Sequence, residues 1–135
     1  MNGKINIDTI LSYWRKGAAQ SLEIAEYLFK GKKYSACLFF CHLTLEKALK
    51  ALIVAKTKKH APYIHELDRL ANKIKLDLTT KQIQDLKIIT TFNIQARYDS
   101  IKFSFHKKCT ADYTKKYLEI TRQLYLWLKK QFPKK

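Results

Sequence analysis

The stretch YSACLFFCHLTLEKALKALIVAKT, Tyr34 to Thr57, decides how this chain folds. Tyr34, Cys37, Leu38, Cys41, Leu45, Ala48, Leu49, Leu52 and Ile53 recur at three- and four-residue steps, the spacing that aligns side chains on one helix face. Phe39, Phe40, Leu43 and Ala51 fall outside that stripe, so the helix is apolar nearly all round. Such a helix has to be enclosed, as the central element of a bundle or at an interface between copies, and we expect both roles. It does not read as a membrane span. Its most apolar part, Ala36 to Leu45, is interrupted by His42 and ends at Glu46-Lys47, short of the roughly 20 apolar residues a bilayer requires.

The flanking segments carry the same periodicity. Upstream, Ile7, Ile10, Leu11, Trp14, Ala18, Leu22, Ala25, Leu28 and Phe29 predict an amphipathic helix over Ile7 to Phe29. Gly31 is its expected left-handed stop, with Lys32 and Lys33 complementing the negative helix end. Downstream, Lys56 to His60 reads as a basic loop and Pro62-Tyr63 as a fresh start. A short third helix follows, with Leu67, Leu70, Ala71 and Ile74 inward. Asp77 to Thr80 turns into a fourth, capped by Thr79 or Thr80. That fourth helix carries Ile83, Leu86, Ile89, Thr90 and Asn93 inward and is expected to end near Arg97. Ser100 to Thr110 is read as loop, because the alternation in Ile101 to Phe105 would make a strand with nothing to pair with. The last helix, Ala111 to Phe132, faces inward through Tyr113, Tyr117, Ile120, Leu124, Trp127 and Leu128 and stops at Pro133. The predicted fold is all-α, an up-and-down antiparallel bundle of about five helices, four long and one short, forming one domain over residues 1–135.

Composition agrees with this. With 47% apolar residues and only three Gly and two Pro, the chain suits a few long helices with short connections rather than many strands. The three cysteines, Cys37, Cys41 and Cys109, are an odd number, and the first two lie one turn apart in an apolar run. That argues against a disulfide framework and for a reducing compartment. The residues from Met1 to Asp8 lack an apolar signal region. A cytoplasmic location with no membrane association is the expectation. The net charge of +16 has two readings, lysines that only keep the protein in solution or a surface made for an acidic or nucleic-acid partner.

Most candidate chemistry dissolves on inspection. Cys37 and Cys41 beside His42 could suggest a metal, but thiols at this spacing in a Leu/Phe-rich helix pack as small hydrophobes. His60 and His65 lack a third ligand nearby, so neither a metal site nor a cofactor is expected. Gly3, Gly17 and Gly31 are too scattered to cradle a phosphate, and Glu66 and Asp68 read as the acidic first turn of the third helix. The segment Arg97-Tyr98-Asp99 differs, joining a cation, a phenol and a carboxylate at a predicted helix end. Arg97 could pair with Asp99 while Tyr98 packs on the bundle. Alternatively, Arg97 could hold a phosphate bidentately while Tyr98 stacks on a base. His106 is either an ordinary loop histidine or a general acid or base for RNA cleavage.

Several blocks together resemble the HEPN domains (higher eukaryotes and prokaryotes nucleotide-binding). They are Tyr13-Trp14-Arg15-Lys16 and Leu22 to Glu26; Tyr34 to Cys37 leading to Glu46-Lys47-Ala48-Leu49-Lys50-Ala51-Leu52; His65-Glu66-Leu67; Arg97-Tyr98-Asp99; and Trp127. The resemblance implies a helical bundle, often dimeric, encoded beside a minimal nucleotidyltransferase as a two-component or toxin and antitoxin pair. It also implies a ligand-binding set of Arg97, Tyr98, Asp99, Lys47, Lys50 and His65. Ribonuclease members of the family carry an Arg with a His a few residues later, meeting across a dimer. Here eight residues separate Arg97 from His106, and Arg97-Tyr98-Asp99 looks like the Arg-Tyr-Pro-Asp form without its Pro. The leading expectation is therefore a homodimeric nucleotide- or RNA-binding module acting with a nucleotidyltransferase subunit. The alternatives are a metal-independent endoribonuclease using Arg97 and His106 as catalytic residues, and an interaction protein with a solvated lysine surface.

Overall fold

A computed structural model describes the backbone of residues 6–95 and 99–133 and the side chains of residues 6–93 and 104–133. These form an all-α bundle of six helices: α1 (Ile7–Lys30), α2 (Tyr34–Thr57), α3 (Leu67–Lys73), α4 (Thr80–Gln95), α5 (Asp99–Lys108) and α6 (Ala111–Lys129). There is no sheet among the described residues.

The α1–α2 hairpin is the foundation. A stripe of small residues on α1, Ala18, Ser21 and Ala25, is buried to 1% or less and lets α2 approach closely. Gly17 extends that stripe, since a Cβ there would meet the Lys47 side chain at 3.1 Å. The connection departs from expectation. Gly31 has an ordinary φ of −80°, and it is Lys32, at φ 61°, that turns left-handed. The helix runs one residue further than its apolar stripe, so the reversing position falls on Lys32, and Lys33 N–H closes the end by donating to Leu28 O at 2.8 Å.

As its all-round apolarity requires, α2 packs against each of the other five helices. Fifteen of its 24 residues are buried, so most of its apolar surface is satisfied within the chain. Cys37 and Cys41 are fully buried free thiols in this core. Thr79 caps α4 reciprocally: its Oγ1 accepts from Gln82 N–H at 3.0 Å while Gln82 Oε1 accepts from Thr79 N–H at 2.9 Å. Thr110 caps α6 by accepting from Tyr113 N–H at 3.1 Å.

The segment 100–110, expected to be loop, is largely the helix α5. Phe105 explains the difference. It is 1% exposed and stacks on Phe92, ring centroids 5.6 Å apart, while Cys109 one turn later is also buried. Burying two side chains one helical turn apart against α2 and α4 outweighs a weak local alternation. Phe92 is itself a core residue that the periodicity of the fourth segment leaves out. It is fully buried, with Tyr113 and Tyr117 of α6 edge-on to it. The last helix ends at Lys129 rather than Phe132, and Arg122 ties it to α1 through a two-pronged bond to Glu26 Oε2 at 2.9 and 2.7 Å.

Candidate functional site

His42, Glu46 and Lys50 follow one another at four-residue steps on α2, so they share a face. All three are buried, which demands partners for their polar atoms. Glu46 supplies most of them. Its Oε2 accepts from Lys50 Nζ at 2.9 Å and from His65 Nδ1 at 3.0 Å, while its Oε1 lies 3.6 Å from His42 Nδ1. The Lys50 ammonium is roofed by the Trp14 indole of α1, 5.2 Å from the ring centroid.

His65 reaches this carboxylate because its own backbone is held. His42 Nε2 donates to the His65 carbonyl at 2.9 Å, and the next turn is pinned to α4, where Thr90 Oγ1 accepts from Leu67 N–H at 3.0 Å. With Nδ1–H directed at Glu46, Nε2 is the open position of the ring. The side chain is 56% exposed against 8% for Glu46, so the arrangement presents an oriented imidazole at the surface over a buried, internally neutralised ion pair. Such a group can donate to or accept from a ligand and can move a proton.

The sequence-derived candidates are thus partly assembled. Lys50 and His65 meet through Glu46, whereas Lys47 turns to α1, where its Nζ bonds Ser21 Oγ at 3.2 Å. His106 is exposed in the last turn of α5, next to Lys107 and Lys108, on a helix and not in a loop. Arg97 and Tyr98, and the side chain of Asp99, lie outside the described residues. The centre of the network, Glu46, was named in the sequence as the charged end of the apolar run and as part of a family block, and His42 as an interruption of that run and as a dismissed metal ligand. The available signal was His42, Glu46 and Lys50 at four-residue spacing inside a mostly apolar helix. Among the described residues no three His, Cys, Asp or Glu side chains come together in a way that could hold a metal ion.

Burial also governs the remaining titratable groups. The Cys37 thiol is pushed up from its usual value by its hydrogen bond with Cys41 and by burial. Burial raises Cys109 to about 11 and Tyr113 to about 12, the latter helped by neighbouring Tyr117 and Cys109. No helix among the described residues is long and apolar enough to cross a membrane.

A helical hairpin wrapped by further helices, with a polar network on the inner face of its second helix, defines the class. The HEPN domain family model matches residues 11–131, and the chain belongs to that family. The crystal structure of TT1696 from Thermus thermophilus superposes with a TM-score of 0.75 at 16% identity, covering 89% of this chain and 96% of that one, a likeness of fold. No curated protein matches the sequence.

Proposed function

We propose that this HEPN domain is a nucleotide- or RNA-binding module that forms a homodimer and acts with a nucleotidyltransferase partner in a two-component or toxin and antitoxin system. The observation that carries the binding role is where the negative charge goes. The chain sets 27 Lys and Arg against 11 Asp and Glu. Among the described residues, Glu26, Glu46, Glu66, Asp85 and Glu119 are already engaged by cations of the same chain. Exposed lysines such as Lys56, Lys58, Lys59, Lys115, Lys116 and Lys130 have no carboxylate partner there. A surface of uncompensated cations binds polyanions by releasing their counterions. The transferase partner rests on the family resemblance. Apolar surface left over on α1, where Tyr13 is 64% and Tyr27 79% exposed, supports a contact between copies.

Affinity for short RNA measured against salt concentration tests this reading. We expect binding that weakens steeply as salt rises, and no detectable affinity at low ionic strength would end it. Light scattering that shows only monomer at micromolar concentration would remove the dimer.

The exposure of His106 beside two lysines favours a second reading, endoribonuclease activity with Arg97. RNA cleavage in chelator by the wild type and by His106→Ala decides it, equal rates or none excluding this histidine as a catalyst.

A further inference from the structure

The chain has four histidines, and the fold gives them different settings. His42 is fully buried. His60 and His106 are exposed, and neither has a hydrogen-bond or ion-pair partner among the described residues. His65 alone combines access with support: its side chain is 56% exposed, and its Nδ1–H donates to Glu46 Oε2 at 3.0 Å. Two contacts fix where the ring stands. The His65 carbonyl accepts from His42 Nε2 at 2.9 Å, and the buried Glu46 carboxylate is anchored by Lys50 Nζ at 2.9 Å. Because a carboxylate only accepts, the proton of the neutral ring sits on Nδ1, and the lone pair on Nε2 is left without a partner among the described residues. A nucleophile held ready by a second group is the arrangement from which covalent chemistry starts.

We infer that His65 Nε2 is a covalent modification site, the acceptor of a phosphoryl group from a small anionic donor with a good leaving group. This does not rest on the nucleic-acid reading above. As Nε2 attacks, positive charge develops on the ring, and a carboxylate bonded to Nδ1–H stabilises that charge, as the buried Asp does for the histidine of a serine-protease triad. Glu46 suits the role because it is shielded from solvent and already fixed by Lys50. The Nε2 lone pair forms the N–P bond, and the donor's bond to phosphorus breaks with its electron pair leaving on the departing group. The Nδ1 proton stays in the hydrogen bond to Glu46, so no other base is needed and nothing is oxidised or reduced. Charge selects the donor class. An excess of 27 Lys and Arg over 11 Asp and Glu draws anions to the surface, and the exposed Lys58 and Lys59 stand in the same connection between α2 and α3. Glu66, the neighbouring carboxylate that would repel a phosphate, is engaged by Arg69 at 3.4 Å.

Phosphoramidate, which transfers a phosphoryl group and releases ammonia, tests this on the full chain in mildly alkaline solution, where free imidazole is neutral. Mass spectrometry and phosphorus NMR should show phosphate on Nε2 of His65 about tenfold or more sooner than on His60 or His106, the scale on which a supporting carboxylate changes a histidine's activity. His65→Gln should abolish this fast phase and leave the slow labelling of the other two. Glu46 is a positioning residue, tested by Glu46→Leu combined with Lys50→Met, which replaces the buried pair with apolar side chains of similar size, a change such pairs commonly tolerate. With the circular dichroism of the wild type retained, this double variant should lose the rate advantage and label Nδ1 as well as Nε2, because no carboxylate then keeps the proton on Nδ1. A merely structural role for Glu46 would leave the choice of ring nitrogen unchanged. The comparison of the three exposed histidines within the wild-type chain needs no variant, so it decides the matter even if the double variant does not fold. Equal rates at those three, labelling of His65 on Nδ1 in the wild type, or an undiminished rate in the folded double variant would overturn the inference.

Discussion

His65 Nδ1 meets Glu46 Oε2 at 3.0 Å, joining residues nineteen positions apart and closing the loop that precedes α3 onto the middle of α2. The same oxygen holds the Lys50 ammonium at 2.9 Å, so one carboxylate supports both an exposed imidazole and a buried cation.

Replacing that carboxylate should therefore be costly. Glu46→Gln keeps the shape but leaves Lys50, 7% exposed, without its counter-charge, and removing one member of a buried pair destabilises by about 3–5 kcal/mol. Urea denaturation should show this loss, and Glu46→Gln combined with Lys50→Met should recover most of it. A single variant as stable as the wild type would mean that the pair is not buried as described.

Lys32 offers the opposite outcome. Its φ of 61° strains a residue with a Cβ, and Lys32→Gly relieves that strain. Allowing for the greater freedom glycine has in the unfolded chain, we expect a net gain of about 0.5–1 kcal/mol. A lower thermal midpoint in the variant would contradict the left-handed turn.

The assignment of α5 as a docked helix is tested at Phe105. Phe105→Ala opens a cavity beside Phe92 and should cost about 3–5 kcal/mol, while Phe105→Leu should cost far less. An exposed loop at this point would show almost no effect from either change.

Alkaline pH should weaken the fold. Tyr113 and Cys109 have folded values of about 12 and about 11 against ordinary values of 10.0 and 9.0, so folding favours their protonated forms. Above the ordinary values the unfolded chain binds fewer protons than the folded one, and stability declines with rising pH. The contribution is complete below pH 9.0 and is lost by about pH 12. Phenol absorbance titration combined with denaturation midpoints across this range checks both the values and the sign. Stability that rises over it would refute the assignment.

The three buried thiols give a related readout. Burial shields the sulfur atoms from reagent, so Cys37, Cys41 and Cys109 should resist alkylation in the native state at neutral pH and react together in denaturant. Rapid native modification of any one of them would place it outside the core.

Helix positions were legible in the sequence wherever apolar spacing was strong. Tyr34 to Thr57 emerges with its expected ends, and α1 and α6 begin where their stripes do. Periodicity is a local property, and burying one face of each segment is what the bundle does with it. It failed at Phe92 and Phe105, because they pack on each other and Phe92 also on Tyr117, contacts between residues distant in the chain. The candidate site was legible in pieces: Lys50 and His65 were marked, but the reason they belong together was not.

Amino-acid order alone determined that this protein is helical, that its second helix is central, and that its charge is strongly positive, since each follows from residue type and near-neighbour spacing. Tertiary structure decided which carboxylates are buried, which imidazole nitrogen is left open, and where aromatic rings, cations and small side chains meet between helices. Those outcomes depend on desolvation and on contacts between segments far apart in the chain, and no local pattern encodes them.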